Sequence, residues 1–412
     1  MRQLGFFSGL SLLLSTLVAP AGACTIRDDV PDSTYLALGA SPDYSCVGKL
    51  VVGGFYNGSA TLIAPDWVLT AAHMFITPNT AAFTVGGSTY YSDQVYQNPG
   101  WHGDANVGYD ISLFHLSTPV TGVTPAKIYT GSSEFGQIAT SVGYGMPGTG
   151  ITGYQSPPDD KKRAFQNVTD GGLTNPSLFL ASDFDSPHTT AYNVYGDSTP
   201  VALEGCVSYG DSGGGLFLPD PDGLHVDIIG VTSSVANGGP GLSDRCVYGD
   251  ISIYTRVSTF ASWIFSTSGI PQPGDTNRDG VVNASDIDAI FHNFGAAATS
   301  QWKVDGDGTP VGQGDVTYEL HTYFHTNYGD ATLDGVVSID DFSVLLAHWG
   351  SSSAGWADGD FTGDGVVNID DFSILLSNWG ASPVGFASMQ APEPTTLVLL
   401  GLGGLALLRR RK

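Results

Sequence analysis

Cationic residues are scarce in this chain of 412 residues: 15 Lys and Arg stand against 40 Asp and Glu, for a formal net charge of −25. Proteins that bind nucleic-acid phosphates need clustered Lys and Arg, so this deficit argues against a nucleic-acid partner. Charged residues make up only 13% of the chain and hydrophobic residues 42%, which is enough for a core and excludes wholesale disorder. The 55 glycines follow no three-residue period, which excludes collagen. The length predicts two or three domains.

The first apolar run, residues 4–18, is too short for a membrane span. It follows a charged start and precedes small residues that end at Ala23, a pattern typical of a secretory signal peptide over residues 1–23. Cleavage after Ala23 would leave Cys24 first. We expect a plain disulfide cysteine there. Lipidation is the alternative, although Ala21 stands where a lipoprotein signal has an aliphatic residue.

A second apolar run, residues 397–408, lies between a Pro-Glu-Pro motif at 392–394 and a basic end at 409–412. This run is also short for a span, and a basic cluster stays on the cytoplasmic side. The tail, residues 390–412, resembles the PEP-CTERM sorting signal of Gram-negative bacteria. The resemblance implies cleavage by an exosortase and delivery to the cell envelope or an extracellular matrix. A plain tail anchor is the alternative.

Cysteines are few, and an even number of them in an exported chain favours disulfides. The four are Cys24, Cys46, Cys206 and Cys246. Three pairings are possible. Proximity in the sequence favours Cys24–Cys46 together with Cys206–Cys246.

Residues 24–270 consist of short apolar runs, such as 49–52 and 61–63, separated by Gly, Asn, Asp and Pro. Runs of this length between turn residues are typical of β-strands. A helical period appears only at residues 258–265. This stretch therefore predicts an all-β barrel or sandwich with a closing helix. Residues 271–273 read Pro-Gln-Pro and predict a linker.

Three segments of the β-rich region carry residues suited to nucleophilic catalysis. His73 ends the segment Trp-Val-Leu-Thr-Ala-Ala-His, Asp110 precedes an apolar run, and Ser212 lies in Gly-Asp-Ser-Gly-Gly. A serine nucleophile needs a base to take its proton, a buried carboxylate to orient that base, and hydrogen-bond donors for the oxyanion. The glycine-rich surroundings allow the backbone N–H groups of Gly210 and Ser212 to point at that oxyanion. The three segments together predict acyl transfer by a serine.

The sixteen-residue segment that ends at His73 and the Gly-Asp-Ser-Gly-Gly motif resemble the trypsin-like serine proteases of the chymotrypsin family, over residues 45–267. The resemblance implies two six-stranded β-barrels, with the site in the cleft between them. It implies that His73 is the general base and then the acid, that Asp110 orients it, and that Ser212 is the nucleophile. The substrate would be a polypeptide.

The same resemblance assigns residues around the substrate. Ser233 would pair its backbone with the substrate strand, and Cys206 and Cys246 fall where the family has a disulfide beside the specificity pocket. Glu204 would lie near the base of that pocket and favour a basic P1 side chain. Val235 stands where a small glycine is common and would narrow the entrance. Because these two expectations conflict, the P1 preference stays open.

The sequence also departs from the family pattern. Met74 follows the histidine where a cysteine is common, and the usual partner position near Gly58 also lacks one. In the family, a freed N-terminus pairs with the Asp before the nucleophile, here Asp211. Residues 49–54 mimic an activation sequence, but they lie too close to the histidine to leave room for the first strands. Ile26 is better placed.

From residue 274 a loop-plus-helix unit recurs four times. An intact loop spaces oxygen donors at positions 1, 3, 5, 9 and 12 around a glycine at position 6, and the backbone carbonyl at position 7 is a further ligand; this arrangement wraps a calcium ion. The degraded second copy, around Asp305, Asp307 and Asp315, has one extra residue and lacks an acid at the first position. The candidate calcium ligands are Asp275, Asn277, Asp279, Val281, Asn283 and Asp286 in the first copy, Asp330, Thr332, Asp334, Val336, Ser338 and Asp341 in the third, and Asp360, Thr362, Asp364, Val366, Asn368 and Asp371 in the fourth.

No helix is expected ahead of each loop, in contrast to an EF-hand. The duplicated loop-plus-helix unit resembles dockerin modules, over residues 274–383. The resemblance implies small α-helical repeats that fold with calcium and bind a cohesin-type protein. A calcium-stiffened stalk without a partner is the alternative.

These features together predict a secreted serine endopeptidase that carries a calcium-dependent docking module. Its calcium ions would be structural, and catalysis would need no cofactor. The alternative is a catalytically inactive, protease-like binding or scaffold protein of the cell envelope or matrix.

Overall fold

The computed structural model describes residues 24–74, 76–171, 175–192, 194–195, 199–219, 226–238 and 245–381. The expected signal peptide and sorting tail lie outside these residues. The chain divides into two compact units, Met1–Ser268 and Gly269–Lys412. Within the described residues, no helix combines the length and the hydropathy that crossing a membrane requires.

The described part of the first unit is mostly β-structure. Its helices are α1 (Asp32–Gly39) and α2 (Val257–Ser268), with single 3-10 turns at Pro42–Tyr44, Ala72–Met74, Ala105–Val107 and Thr190–Tyr192. Its strands are β1 (Cys24–Ile26), β2 (Val47–Val52), β3 (Tyr56–Ala64), β4 (Trp67–Thr70), β5 (Ala81–Val85), β6 (Ser88–Gln97), β7 (Ser112–Leu116), β8 (Lys127–Ile128), β9 (Ile138–Gly143), β10 (Pro147–Thr149), β11 (Gly153–Tyr154), β12 (Arg163–Val168), β13 (Phe179–Asp183), β14 (Gly205–Cys206), β15 (Gly215–Pro219), β16 (Val226–Ala236) and β17 (Ile251–Arg256).

Six strands close into a barrel in the order β2-β3-β4-β7-β6-β5. Every neighbouring pair is antiparallel. Successive side chains of a strand point to opposite faces, so alternate apolar residues fill the interior. Leu50, Leu62, Phe83 and Phe114 are fully buried there, and the rings of Phe83 and Phe114 meet edge to face with centroids 6.2 Å apart.

The second sheet is a half-barrel of seven strands. Six of them follow the order β12-β9-β15-β16-β17-β13, and β8 pairs with β16. Among the described residues its edge strands β12 and β13 form no regular ladder: Asn167 of β12 donates to the Asp183 carbonyl of β13, and Asp170, beyond the end of β12, forms an isolated bridge with Ala181. The closed barrel and the half-barrel together support the expected double β-barrel fold.

The closing helix was expected at residues 258–265, and α2 confirms it with one further turn. Its buried residues, Val257, Phe260, Ala261 and Ile264, recur at the three- and four-residue spacing that places them on one helix face. A separate small sheet has the order β11-β10-β1-β14. In it β1 runs parallel to β10 and antiparallel to β14, so the strand that begins at Cys24 is buried between them.

The second unit is helical. It contains α3 (Ala284–His292), α4 (Gln313–Thr322), α5 (Ile339–Ala347), α6 (Ile369–Ser377) and a 3-10 turn at Trp356–Asp358. Helix α3 packs against α4 and α5 against α6, so the four repeats form two pairs. Trp356 is fully buried in the shared core, and its Nε1 donates to the Asp330 carbonyl at 2.7 Å. This bond ties the fourth repeat to the third.

Candidate active site

His73 and Asp110 form a hydrogen-bonded pair. His73 lies in the 3-10 turn after β4, and Asp110 comes just before β7, which pairs with β4. One carboxylate oxygen of the fully buried Asp110 lies 2.7 Å from His73 Nδ1, and the other accepts the His73 backbone N–H at 2.8 Å. A carboxylate so placed orients the imidazole and stabilises its protonated form. In the described part of the chain, no hydrogen bond engages Nε2, the atom that faces a nucleophile in such a pair.

Ser233 is a third member of this network, although the family resemblance implies a different role for it. The register between β16 and β17 shifts between Thr232 and Ser234, which leaves Ser233 outside the regular ladder. Its hydroxyl donates to Asp110 Oδ2 at 2.5 Å. The expected contact of its backbone with a substrate strand stays a prediction. The hydroxyl bond was missed because a register shift leaves no signal in the sequence.

Ser212 lies in the loop between β14 and β15, and two glycines with positive φ shape this loop. The values are +101° at Gly210 and +80° at Gly213, a region that side chains with a Cβ avoid. A Cβ at position 213 would lie 2.0 Å from Thr70 Oγ1 and 2.4 Å from the Ser59 carbonyl. The glycine therefore lets the loop pack directly on the strand that leads to His73.

Among the described residues, some backbone N–H groups of this loop have a hydrogen-bond acceptor and others have none. Asp211 N–H donates to the Ser208 carbonyl at 3.0 Å, and Gly213 N–H donates to the Thr232 carbonyl at 2.8 Å. The N–H groups of Gly210 and Ser212 have no acceptor among the described residues. These are the two donors that the sequence analysis assigned to the oxyanion.

Ser59, in β3, holds the nucleophile loop in place and was not anticipated. Its backbone N–H donates to the Ser212 carbonyl at 2.9 Å. Its hydroxyl donates to the Gly210 carbonyl at 3.0 Å and accepts the Tyr144 N–H at 2.9 Å. Ser59 is fully buried, so these bonds are shielded from water. Ser59 belongs to the sixteen-residue segment that ends at His73, but the resemblance assigned it no role, and the sequence carried no signal for this contact.

Asp211 is buried beside the first strand of the chain. Its two oxygens accept the N–H groups of Gly145 and Ser208, both at 2.8 Å. Burial raises the pKa of Asp211 to about 6. Burial also raises the pKa of the Cys24 thiol, and the Asp211 carboxylate is the strongest charge acting on that thiol. Cys24 lies opposite Pro147 in the pairing of β1 with β10, and Gly145, whose N–H Asp211 accepts, is two residues before Pro147.

Val235 and Ser252 face each other across β16 and β17. Val235 packs against a buried cluster that includes Cys206 and Cys246. The Ser252 hydroxyl donates to Cys206 Sγ at 3.3 Å and accepts the Val207 N–H at 3.2 Å. These side chains lie beside the segment that leads to Ser212.

Glu204 lies at the start of the same segment and is buried. Its two carboxylate oxygens accept the backbone N–H groups of Asp185 at 2.5 Å and Val201 at 2.6 Å. Burial and the neighbouring carboxylates of Asp185 and Asp183 raise the pKa of Glu204 to about 8. The carboxylate thus orders the backbone around it.

The expected disulfides are wrong for this structure, because all four cysteines are free, buried thiols. Cys206 and Cys246 are neighbours, but they hydrogen-bond as thiols, and this bond together with burial raises the pKa of Cys246. Cys24 packs in a core cluster to which Cys46 does not belong, and the Cys46 thiol lies 4.0 Å from the Asp43 carbonyl. Neither the proximity of these cysteines in the sequence nor their even number correctly predicted whether they form disulfides.

Met74 and Gly58 lie at the two places that a disulfide commonly links in the family, and this sequence has no cysteine at either. A Cβ at Gly58 would lie 2.5 Å from Met74 Cε and 3.0 Å from the Ser212 carbonyl. The methionine side chain therefore fills the space next to this glycine. Packing by a thioether replaces a covalent link next to His73.

The three intact loops of the second unit share one backbone frame. Their position-6 glycines, Gly280, Gly335 and Gly365, have φ between +84° and +90°. Each glycine N–H donates to the aspartate at position 1, at 2.9 Å in the first and third copies and 2.6 Å in the fourth. The aspartate at position 12 accepts the N–H groups of positions 3 and 9 in every copy; these residues are Asp286, Asp341 and Asp371.

These loops present hard oxygen donors at the expected positions, which suits the chemistry of calcium. Across the described residues, however, no three His, Cys, Asp or Glu side chains are grouped so that they could hold a metal ion. The carboxylates at positions 1 and 12 are instead engaged with backbone N–H groups. Calcium binding therefore stays a prediction.

Comparison with known proteins finds sequences similar to that of the first unit. Residues 40–170 match the family model described as trypsin. The chymotrypsin-like elastase family member 1 of Macaca fascicularis is 27% identical over 259 residues, which cover 58% of this chain and 92% of that protein. Trypsin of Squalus acanthias is 25% identical over 227 residues, covering 52% and 86%. Brachyurin of Leptuca pugilator is 26% identical over 224 residues, covering 54% and 92%.

Residues 390–412 match the family model described as the PEP-CTERM protein-sorting motif. The first unit thus resembles trypsin-like serine proteases in sequence, and its closed barrel and half-barrel agree with that fold, while residues 390–412 carry a C-terminal sorting motif. The relatives support a peptidase function. The sorting motif indicates export and surface or extracellular sorting in Gram-negative bacteria, and it implies exosortase processing.

Proposed function

We propose that this chain is a secreted serine endopeptidase whose nucleophile is Ser212, with His73 as the general base and Asp110 as the residue that orients it. One observation carries the proposal. The buried Asp110 carboxylate binds His73 through Nδ1 at 2.7 Å and through the backbone N–H, which leaves Nε2 available to a nucleophile. The Ser233 hydroxyl supports the same carboxylate from the other side.

In the proposed reaction, Ser212 Oγ attacks the carbonyl carbon of the scissile peptide while His73 Nε2 takes the hydroxyl proton. The carbonyl oxygen gains the negative charge and accepts the N–H groups of Gly210 and Ser212. His73 then gives the proton to the leaving amine, and the C–N bond breaks to leave an acyl-enzyme. Water repeats the attack with His73 as the base, which releases the acid and restores the serine.

We further propose a small, uncharged P1 residue. Val235 projects from the strand that flanks the pocket, and the Ser252 side chain fills the position opposite it. Both oxygens of the buried Glu204 already accept backbone N–H groups, so neither is left without a partner for a basic side chain. Peptide anilides with Ala, Phe or Arg at P1 test this preference. We expect Ala to be cleaved fastest, and a Val235→Gly variant to gain activity on Phe. Faster cleavage after Arg would contradict the proposal.

Activation has a candidate in Cys24. Removal of residues 1–23 would create an amino group at Cys24, close to the buried Asp211, and we propose that the two pair. An ammonium beside this carboxylate would offset the burial that raises its pKa. Protein processed at Ala23 should therefore react faster than protein that carries one additional N-terminal residue. Equal reactivity of the two forms would exclude this route, and N-terminal sequencing verifies the samples.

For the second unit we propose structural calcium in the first, third and fourth loops, and docking onto a cohesin-type protein. The donor set and the shared loop frame support the calcium ions, and the resemblance to dockerins supports the partner. Calcium-dependent capture of a purified cohesin tests the docking. Its failure in a calcium-loaded sample would favour the stalk.

Labelling of the processed chain with a fluorophosphonate, beside a Ser212→Ala control, tests the central proposal. We expect labelling of the unaltered chain and none of the variant. Absence of labelling in folded protein processed at Ala23 would refute catalysis by Ser212 and favour an inactive, protease-like binding protein.

A further inference from the structure

The second repeat of the C-terminal unit carries a lysine where the intact loops carry an acid. Aligned on the glycine of position 6, Lys303 takes the place of Asp275, and Asp305 and Asp307 take positions 3 and 5. Its final acid, Asp315, takes position 12. The sequence alone marks this loop as degraded, but it does not say what the lysine does.

In the structure the ammonium of Lys303 lies among the three acids of its own loop. Its Nζ is 2.5 Å from Asp305 Oδ1, 2.7 Å from Asp307 Oδ1 and 3.1 Å from Asp315 Oδ2. The Lys303 side chain is only 3% exposed, and the carboxylate of Asp315 is fully buried. A single cation is therefore surrounded by the acids of positions 3, 5 and 12.

The backbone frame of this loop matches that of the intact copies. Asp315 accepts the N–H groups of Val304 at 2.9 Å, Asp305 at 3.2 Å and Gly312 at 2.8 Å. Gly312 precedes α4, just as the position-9 residue precedes the helix in the other repeats. The loop thus keeps the fold of a cation loop while its first ligand is replaced by a positive charge.

The electrostatics agree with this geometry. Burial alone would lower the pKa of Lys303, but its hydrogen bonds to the three carboxylates raise it well above the usual lysine range. The hydrogen bond from Lys303 holds the pKa of Asp307 well below its usual range. Burial alone would raise the pKa of Asp315, but backbone N–H groups and the ammonium lower it. Lys303, Asp307 and Asp315 are therefore charged at neutral pH.

We propose that the ammonium of Lys303 replaces the metal ion in the second loop, so that this loop binds no divalent cation and stays closed without one. The contrast with the other loops rests on the calcium binding proposed above. A divalent cation would meet the repulsion of the ammonium at contact distance, and it would lack the carboxylate of position 1.

The two helix pairs would then respond differently to calcium. The pair of α5 and α6 contains two calcium loops, whereas the pair of α3 and α4 contains one calcium loop and one loop closed by lysine. Removal of calcium would leave the loop before α4 ordered. The unit would keep a structured segment from which the other loops could refold.

Chemical acetylation of lysine amines in the full chain, read by peptide mass spectrometry, tests the proposal without relying on catalysis. The internal reference is Lys161, whose side chain is 50% exposed. We expect Lys303 to react at least about tenfold more slowly than Lys161, both in chelator and in saturating calcium, because a buried amine reacts only after local opening. Labelling of Lys303 in chelator would show that the loop is open, and labelling only in calcium would show that the metal displaces the ammonium. Either result would overturn the proposal.

Native mass spectrometry of the same samples tests the lysine-closed loop separately from the calcium binding proposed for the other three loops. Three calcium ions per chain with a protected Lys303 would support both. No bound calcium with a protected Lys303 would refute the calcium proposal and keep the lysine-closed loop. Four ions would refute the lysine-closed loop. A Lys303→Gln variant should lower the melting temperature in chelator more than Lys161→Gln does. If Lys303→Gln does not fold, the labelling of the unaltered chain still decides.

Discussion

Replacement of Ser59 by alanine tests how the nucleophile loop is held. The substitution removes one hydroxyl, which leaves the Gly210 carbonyl and the Tyr144 N–H without their hydrogen-bond partner. A buried polar group left unsatisfied costs about 1–3 kcal/mol. The Gly210 carbonyl is buried and the Tyr144 N–H only partly so, and we therefore expect a loss of roughly 2–4 kcal/mol in the free energy of unfolding.

The same substitution should slow acylation. The Ser59 hydroxyl fixes the residue whose N–H is proposed to bind the oxyanion, and complete removal of one such donor costs about 10²–10³ in kcat. Loosening that donor without removing it should cost less, so we expect fluorophosphonate labelling to slow by roughly tenfold to a hundredfold.

Urea unfolding in the presence of calcium, followed by the loss of labelling at Ser212, isolates the first unit from the second. Thr84→Ala is the matched control, because it removes a hydroxyl from the same barrel whose hydrogen bond to Thr89 is exposed. We expect the control to stay within about 0.5 kcal/mol of the unaltered chain. If Ser59→Ala also stays within that range and labels at the normal rate, the hydroxyl does not hold the loop and the argument is wrong.

Four further results are expected. Asp110→Asn should lower kcat/KM by about 10³–10⁴ with an unchanged circular dichroism spectrum, because the imidazole loses its charged partner; near-normal kcat/KM would exclude the triad. Gly213→Ala should abolish labelling, since its Cβ would lie 2.0 Å from Thr70 Oγ1; a labelled, folded variant would contradict this packing. Because the folded state holds the Glu204 proton more tightly than the unfolded chain does, stability should fall as the pH rises from about 5 to 8. Glu204→Gln should flatten that slope in urea titrations, and an unaltered slope would exclude Glu204 as its source. Chelation of calcium should lower the melting temperature of the second unit, measured by circular dichroism, without changing the labelling rate; an unchanged melting temperature would argue against calcium there.

The features that the sequence predicted well are those that short-range patterns encode. The helix at Val257–Ser268 follows from apolar residues at helical spacing. The pairing of His73 with Asp110 follows from motifs whose order and flanking residues are specific. The loop frames of the second unit follow from a spacing that forces a glycine with positive φ, as at Gly280.

The features that it did not predict depend on contacts between distant segments. Ser59 and Gly210 lie 151 positions apart, and no motif contains both. The family resemblance placed Glu204 near the base of the specificity pocket. The orientation of its carboxylate depends on hydrogen bonds to the backbone of Asp185 and Val201, which a motif does not describe. For Lys303 the sequence revealed the missing acid, whereas the position of the ammonium among three carboxylates required side-chain geometry.

The contact between Met74 and Gly58 has a consequence for the conditions under which this protein can fold and persist. A covalent bridge at this point would need an oxidising folding pathway and would open under reducing thiols. A methionine needs neither, so the segment next to His73 can form in an anoxic or thiol-rich setting. The segment is then insensitive to reducing thiols but sensitive to oxidants. Peroxide converts a methionine thioether to a polar sulfoxide, which would be poorly accommodated in this tight contact. Exposure to oxidants, not to reductants, would be the chemical threat to this part of the molecule.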